Sequence, residues 1–139
     1  MPTITATVRT FPDTKAAVVR AGAHTLVADR AEGVAGGAGL GFNGAQLLAS
    51  AIGGCLANDV RVVAADEGIE LDTVSIDVAV VVDGGSVLDG LRVVGADLRV
   101  AVTAAGGADT GRVVERAPLV ISAVLGAVRS GFSVNVRTS

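Results

Sequence analysis

Tryptophan and tyrosine are missing from these 139 residues, phenylalanine occurs only at 11, 42 and 132, and cysteine and histidine occur once each, as Cys55 and His24. Without aromatic rings the chain lacks the stacking platforms that hold single-stranded nucleic acid. Its eleven Lys and Arg residues are scattered and the net charge is −3, so no basic stripe is present to track a phosphate backbone. Nor is there a basic amphipathic segment of the kind that binds membrane surfaces. Nucleic acid and membrane are both disfavoured as partners. One cysteine excludes an intramolecular disulfide and points to a reducing, cytoplasmic setting. One His and one Cys offer no metal-ligand spacing, so neither a metal nor another cofactor is expected.

What is present is small and apolar. Half of the residues are hydrophobic, and they are mainly Ala, Val and Leu, which suits strands and closely packed helices. The length fits one domain over residues 1–139 with a core of its own. Met1-Pro2-Thr3 runs straight into a strand-like segment rather than a basic-then-apolar leader. The longest apolar runs, 47–57 and 117–128, fall short of the roughly 20 residues that a bilayer requires.

Alternation of apolar residues with Thr predicts a strand over 4–8, and Phe11-Pro12-Asp13-Thr14 predicts a turn. Short strands over 15–20 and 24–28 flank a turn at Ala21-Gly22. Residues 29–41 form a loop with five glycines. Asn43 is a good N-cap, and Gln46 stands three residues later as an imperfect capping box. The helix it opens should run to about Glu67, roughly 37 Å at about 1.5 Å per residue, and close at Gly68. Its first half, 47–57, is apolar all round and should be buried on every side, whereas 58–67 is charged and should emerge. Gly53-Gly54 in mid-helix costs about 1 kcal/mol per glycine relative to Ala. Close approach of another backbone would offset that, and the implied neighbour is the same helix of a second copy, making a homodimer.

Strands are predicted over 74–82 and 91–102, with Leu98, Val100 and Val102 on one face, Arg99 on the other, and a bulge at Gly95. A short helix over 108–116 capped by Asp109, a longer one from Pro118 to Arg129 closed by Gly131, and a strand over 132–137 complete the chain. The order is three strands, a long helix, two strands, two helices and a strand: an α+β domain.

Few residues here can carry chemistry. Gly39-Leu40-Gly41-Phe42-Asn43-Gly44 fits G-x-G-x-x-G, but the preceding strand ends at Ala28 and no acidic residue falls where a dinucleotide fold needs one. It reads as chance in a glycine-rich loop. His24 reads as an ordinary strand residue. Cys55 is either a small apolar filler among Leu48, Ile52 and Leu56 or a sheltered nucleophile. A thiol in mid-helix gains little from its own helix dipole, so activation would need a cation such as Arg9, Arg20 or Arg30, or one from a partner chain.

The stretch from Gly41 to Ala57, GFNGAQLLASAIGGCLA, resembles the signature of the OsmC/Ohr family, the osmotically inducible and organic hydroperoxide resistance proteins: Gly-x-Asn-Pro-Glu-x-Leu-Leu-Ala-Ala-x-x-x-x-Cys. The strand end His24–Asp29, the Glu67-Gly68-Ile69 step and Glu115-Arg116-Ala117-Pro118, which falls where the family starts a helix with Cys-Pro, extend the resemblance over most of the chain. It implies an OsmC-like α+β fold in an intertwined homodimer, with central helices buried between subunits. It also implies a peroxidatic Cys, held by an Arg and a Glu, that attacks a hydroperoxide and is resolved by a second Cys. Cys55 matches the peroxidatic position, Ala117 the resolving one and Ala45 the Glu; Arg9 is the first assignment for the Arg and Arg20 the next. Two readings stay open. One is a one-Cys, thiol-dependent reductase of organic hydroperoxides in the oxidative-stress response, recycled by an external thiol. The other is a non-catalytic dimer that binds a small apolar ligand.

Overall fold

The computed structural model describes residues 1–120, 122–131, 134, 136 and 137, and divides into two compact units, Met1–Leu48 and Ala49–Ser139.

In the first unit, β1 (Thr7–Thr10), β2 (Ala17–Ala21) and β3 (His24–Ala28) form an antiparallel sheet in the order β1-β2-β3. The turn at 11–14 forms as expected, with Asp13 at φ 60° and the Thr14 N–H donating to the Phe11 carbonyl at 3.3 Å. β1 starts three residues later than the alternation suggests. Its register is set by pairing, Val8 opposite Val19 and Thr10 opposite Ala17. Gly22 at φ 59° makes the two-residue hairpin to β3.

Asp29 ends β3 and organises the glycine-rich loop. Its carboxylate accepts the N–H groups of Arg30 (2.8 Å), Ala38 (3.1 Å) and Leu40 (3.1 Å). These bonds, that of Leu40 first, hold the Asp29 carboxyl below the usual carboxylate range. Behind the clasp the chain returns alongside β3, where Phe42 exchanges backbone hydrogen bonds with Val27 and Asp29. A side chain at Gly41 would put its Cβ 2.1 Å from the Val27 carbonyl oxygen, so only glycine fits there.

The predicted capping box is made in full. Asn43 N–H donates to Gln46 Oε1 and Gln46 N–H to Asn43 Oδ1, both at 2.9 Å, and α1 runs Gly44–Asp66. At its far end Gly68 lies at φ 69° and the Ile69 N–H reaches the Ala64 carbonyl, a left-handed cap. By length and composition the whole of α1 could cross a bilayer, although its apolar run alone is shorter; of the 18-residue stretch of α1 that gives this reading, a third is buried inside the protein.

The second unit packs α1 on a long hairpin of β4 (Leu71–Asp83) and β5 (Arg92–Ala104). Val74, Ile76, Val78 and Val80 pair with Val102, Val100, Leu98 and Ala96 on the half-buried face, while Asp77 stands opposite Arg99 on the exposed one. The register slips between Val81 and Val82, where Val94 is the extra residue beside Gly95, so the expected bulge is there. A 3₁₀ turn (Ala105–Gly107) leads to α2 (Gly111–Arg116), whose Gly111 N–H is held by Asp109 Oδ1 at 2.9 Å.

Within this chain the apolar first half of α1 is covered on one side: Ser50, Ala51 and Gly54 are exposed, and the buried residues form one stripe of Ile52, Leu56, Asp59, Val60, Val63 and Ala64. Two expectations fail. The charged second half does not emerge as a whole: Arg61 and Asp66 are exposed, but four of those six buried residues lie in it, and the stripe follows the helical period. The continuous helix from Pro118 does not form either. Ala117–Leu119 is a 3₁₀ turn, Val120 is extended (φ −68°, ψ 130°), and α3 starts only at Ala123, running to Ser130. The strand expected over 132–137 lies largely outside the described residues.

The mid-helix glycines have different surroundings. At Gly53 a Cβ would come 2.9 Å from Val78 Cγ2, so β4 presses on the helix there. At Gly54 a Cβ would meet nothing within 4 Å among the described residues, its own helix backbone aside. Close approach therefore accounts for Gly53 within one chain and leaves Gly54 open.

Candidate functional site

Cys55 lies on the flank of the core stripe of α1, one residue before the buried Leu56, and is half-buried. Its thiol meets α3. Ser122 has the extended N-cap backbone (φ −87°, ψ 166°), and its carbonyl accepts the first helical bond from Gly126 N–H at 2.8 Å. Its hydroxyl does not cap its own helix; it lies 3.0 Å from Cys55 Sγ in a hydrogen bond to which either group can supply the proton. Toward a thiolate the hydroxyl is the donor, and a charge-assisted bond of this kind is stronger than a neutral one. The sulfur therefore lies beside the N-cap residue of α3, a neighbour that the sequence of α1 alone did not offer.

The segment carrying Ser122 is anchored by charge. Arg116 at the end of α2 donates to Asp66 Oδ2 at 2.8 Å and to Glu67 Oε1, and Arg112 Nε stands 3.4 Å from Glu67 Oε2. Hydrogen bonding to Glu67 and then Asp66 raises the Arg116 pKa further above its ordinary value, so the guanidinium of the clamp stays charged. It pins α2 to the C-terminal end of α1. From there the chain turns through Ala117, which is buried, and Pro118 towards Ser122.

Of the residues singled out from sequence, Ala45 is exposed in the first turn of α1, and Ala117 is buried in the core. Arg9 on β1 pairs with Val18, and Arg20 on β2 pairs with Thr7 and Thr25. The alternation puts both arginines on the same face of the first sheet, exposed. His24 is exposed at the start of β3 opposite Ala21, as an ordinary strand residue. Among the described residues no group of His, Cys, Asp and Glu is placed to hold a metal.

Sequence reasoning missed Ser122. It lies 67 residues from Cys55, and its one local signal, a serine before an apolar run of helical length, was obscured by the helix assigned from Pro118. Reasoning from sequence also missed a cavity of about 350 Å³ between the core face of α1, the inner face of β5 and α3. Its walls include Ile52, Leu56, Leu98, Val100 and Leu125, with Arg129 as the one charged lining residue.

A family model described as OsmC-like protein matches residues 36–137. The chain is similar in fold to an OsmC-like protein of Mycoplasma pneumoniae (TM-score 0.73, 12% identity, covering 94% of this chain and 89% of that one). It is also similar to an organic hydroperoxide resistance protein OsmC of Legionella pneumophila (TM-score 0.66, 21% identity, 94% and 91%). A third similar structure is the organic hydroperoxide resistance protein OhrB of Bacillus subtilis (TM-score 0.58, 19% identity, 93% and 92%). No curated protein matches the chain.

Proposed function

The chain belongs to the OsmC-like family, and from that premise we propose that it is a one-Cys, thiol-dependent reductase of organic hydroperoxides that acts in the oxidative-stress response. The observation that carries this reading is the Cys55–Ser122 pair, a half-buried thiol with a hydroxyl donor 3.0 Å away. The Cys55 thiolate attacks the distal oxygen of R–O–O–H. The S–O bond forms as the O–O bond breaks, and the leaving alkoxide takes a proton to give R–OH. Cys55 is left as a sulfenic acid. Ala117 offers no internal thiol, so a small thiol from solution attacks the sulfenic sulfur, releasing water and leaving a mixed disulfide. A second thiol then frees Cys55 and carries away the disulfide. In sum, one hydroperoxide and two thiols give one alcohol, one water and one disulfide. Arg9, with Arg20 on the same face of its sheet, is carried over by resemblance as the cation of this chemistry.

We take residues 1–139 to be a single OsmC-like domain that works as a cytoplasmic homodimer. The exposed side of α1, with Ser50 and Ala51 beside the open position at Gly54 and Val62 further along the helix, supports the dimer. Intact-mass measurement of the reduced protein after one equivalent of cumene hydroperoxide, and separately of hydrogen peroxide, tests the activity. Rapid gain of one oxygen from the organic peroxide, lost in Cys55→Ser, is expected. A thiol that stays reduced for hours overturns the proposal.

A second reading is favoured by the cavity: an apolar-ligand binder in which Cys55 is packing. Ala45 and Ala117 in place of the family's Glu and second Cys support it. It is separated from the first by Cys55→Ala, which then lowers stability by about 1–2 kcal/mol and leaves ligand binding intact.

A further inference from the structure

The cavity beside α3 is apolar in its walls and cationic at one place, and the two properties together describe a ligand. Ile52 and Leu56 of α1, Leu98 and Val100 of β5 and Leu125 of α3 supply aliphatic walls and no aromatic face. Walls of this kind suit a flexible aliphatic chain better than a flat ring. The volume of about 350 Å³ lies at the small end of the roughly 300–1,000 Å³ common for ligand sites.

Arg129 is the charged group among the lining residues. Its Nη2 donates to the Pro118 carbonyl at 3.0 Å, which fixes the guanidinium beside the cavity. That bond uses one of the five N–H donors of an arginine. Among the described residues Arg129 forms no ion pair with a carboxylate, unlike Arg92, Arg112 and Arg116. A planar fork held in place beside an apolar cavity, without a protein anion, is complementary to a carboxylate on an aliphatic tail.

We propose that this cavity binds a medium-chain, linear monocarboxylate, with the hydrocarbon against Leu98, Val100 and Leu125 and the carboxylate on Arg129. The inference rests on the ligand-binding reading above and not on the thiol chemistry; Cys55 is not among the residues lining the cavity. Arg129 is the specificity-determining residue, because the walls hold the tail of an acid or of an alcohol equally well.

Calorimetric titration of the full chain with hexanoate, octanoate and decanoate, and with 1-decanol, below their micellar concentrations, tests it. Each added methylene is expected to tighten binding about fourfold until the cavity is full. Decanoate is expected to bind about tenfold more tightly than 1-decanol. In Arg129→Gln the acid loses that advantage while the alcohol binds as before, which also shows that the variant is folded. A purely structural role of Arg129, at the C-terminal end of α3, would weaken both ligands alike. Equal binding of acid and alcohol in the parent, or an unchanged preference in Arg129→Gln, overturns the carboxylate inference and leaves the apolar-ligand reading standing. Binding of neither compound overturns both, and means that the cavity is a packing gap or is filled by a second copy of the chain.

Discussion

The two halves of α1 have exchanged the roles that their compositions suggest. Residues 44–57 contain no charged side chain, yet only Ile52 and Leu56 are buried there. Residues 58–66 contain Asp59, Arg61 and Asp66, yet they place Asp59, Val60, Val63 and Ala64 in the core. Angular phase, not average hydropathy, decides the matter: the six buried positions follow one stripe along the helix. The apolar half is left with a face of small side chains that the described residues leave exposed.

The sharpest way to break this comparison is to put the same charge on both halves. Val60→Asp buries a carboxylate at a fully enclosed position and is expected to cost more than about 4 kcal/mol in urea unfolding. Ala51→Asp, on the exposed side of the apolar half, is expected to stay within about 0.5 kcal/mol of the parent as a monomer. If the proposed dimer uses that face, the same variant sediments as a monomer. A loss above about 2 kcal/mol in monomeric Ala51→Asp would mean that composition, and not phase, governs burial.

Next in size is Asp59. Its Oδ2 is buried with no hydrogen-bond partner among the described residues, and Asp59→Leu is expected to gain about 1 kcal/mol. A loss of similar size would show that the carboxylate has a partner that the single chain does not display. The glycine pair is expected to give opposite signs. Measured on the monomer, Gly54→Ala, with open space around it in the single chain, gains about 1 kcal/mol of helix stability, whereas Gly53→Ala loses about as much because its methyl meets Val78. Equal signs would sink the assignment of the contact to β4.

The mildest effect concerns the other buried aspartate. Asp29 differs from Asp59 in being satisfied by three backbone donors. Its folded pKa is lowered, so its contribution to stability is fully present above the ordinary carboxylate value and is lost as pH falls through the folded one. Proteolysis of the loop at residues 30–40 should therefore be flat at neutral pH and rise only in acid below the ordinary carboxylate range. Asp29→Asn should be cleaved faster already at neutral pH.

Much of the fold was legible because local chemistry wrote it down. Asn43 with Gln46, Gly68 at the helix end, the alternation of 74–82 and the bulge at Gly95 each act within a few residues. Errors arose where a decision depended on distant partners. β1 shifted because its register is set by β2. The helix assigned from Pro118 split because Val120 is extended and Ser122, whose hydroxyl is engaged by Cys55, starts a new one. Of the site, Cys55 was legible as the lone thiol, whereas its partner and the cavity come from segments brought together only by folding. Arg9 and Arg20 share a sheet face, which the alternation across β1 and β2 determines.

The contact between Gly53 and Val78 has a consequence for how this chain can vary. Helix and strand are spaced there by an atom that is absent, so the two positions share a fixed allotment of carbon. A methyl added to one side should be tolerated when methyls are removed from the other. Gly53→Ala combined with Val78→Ala should therefore unfold later than the sum of the two single changes allows, a coupling that a double-mutant cycle reads directly. Among related sequences, a larger residue at position 53 should accompany a smaller one at position 78.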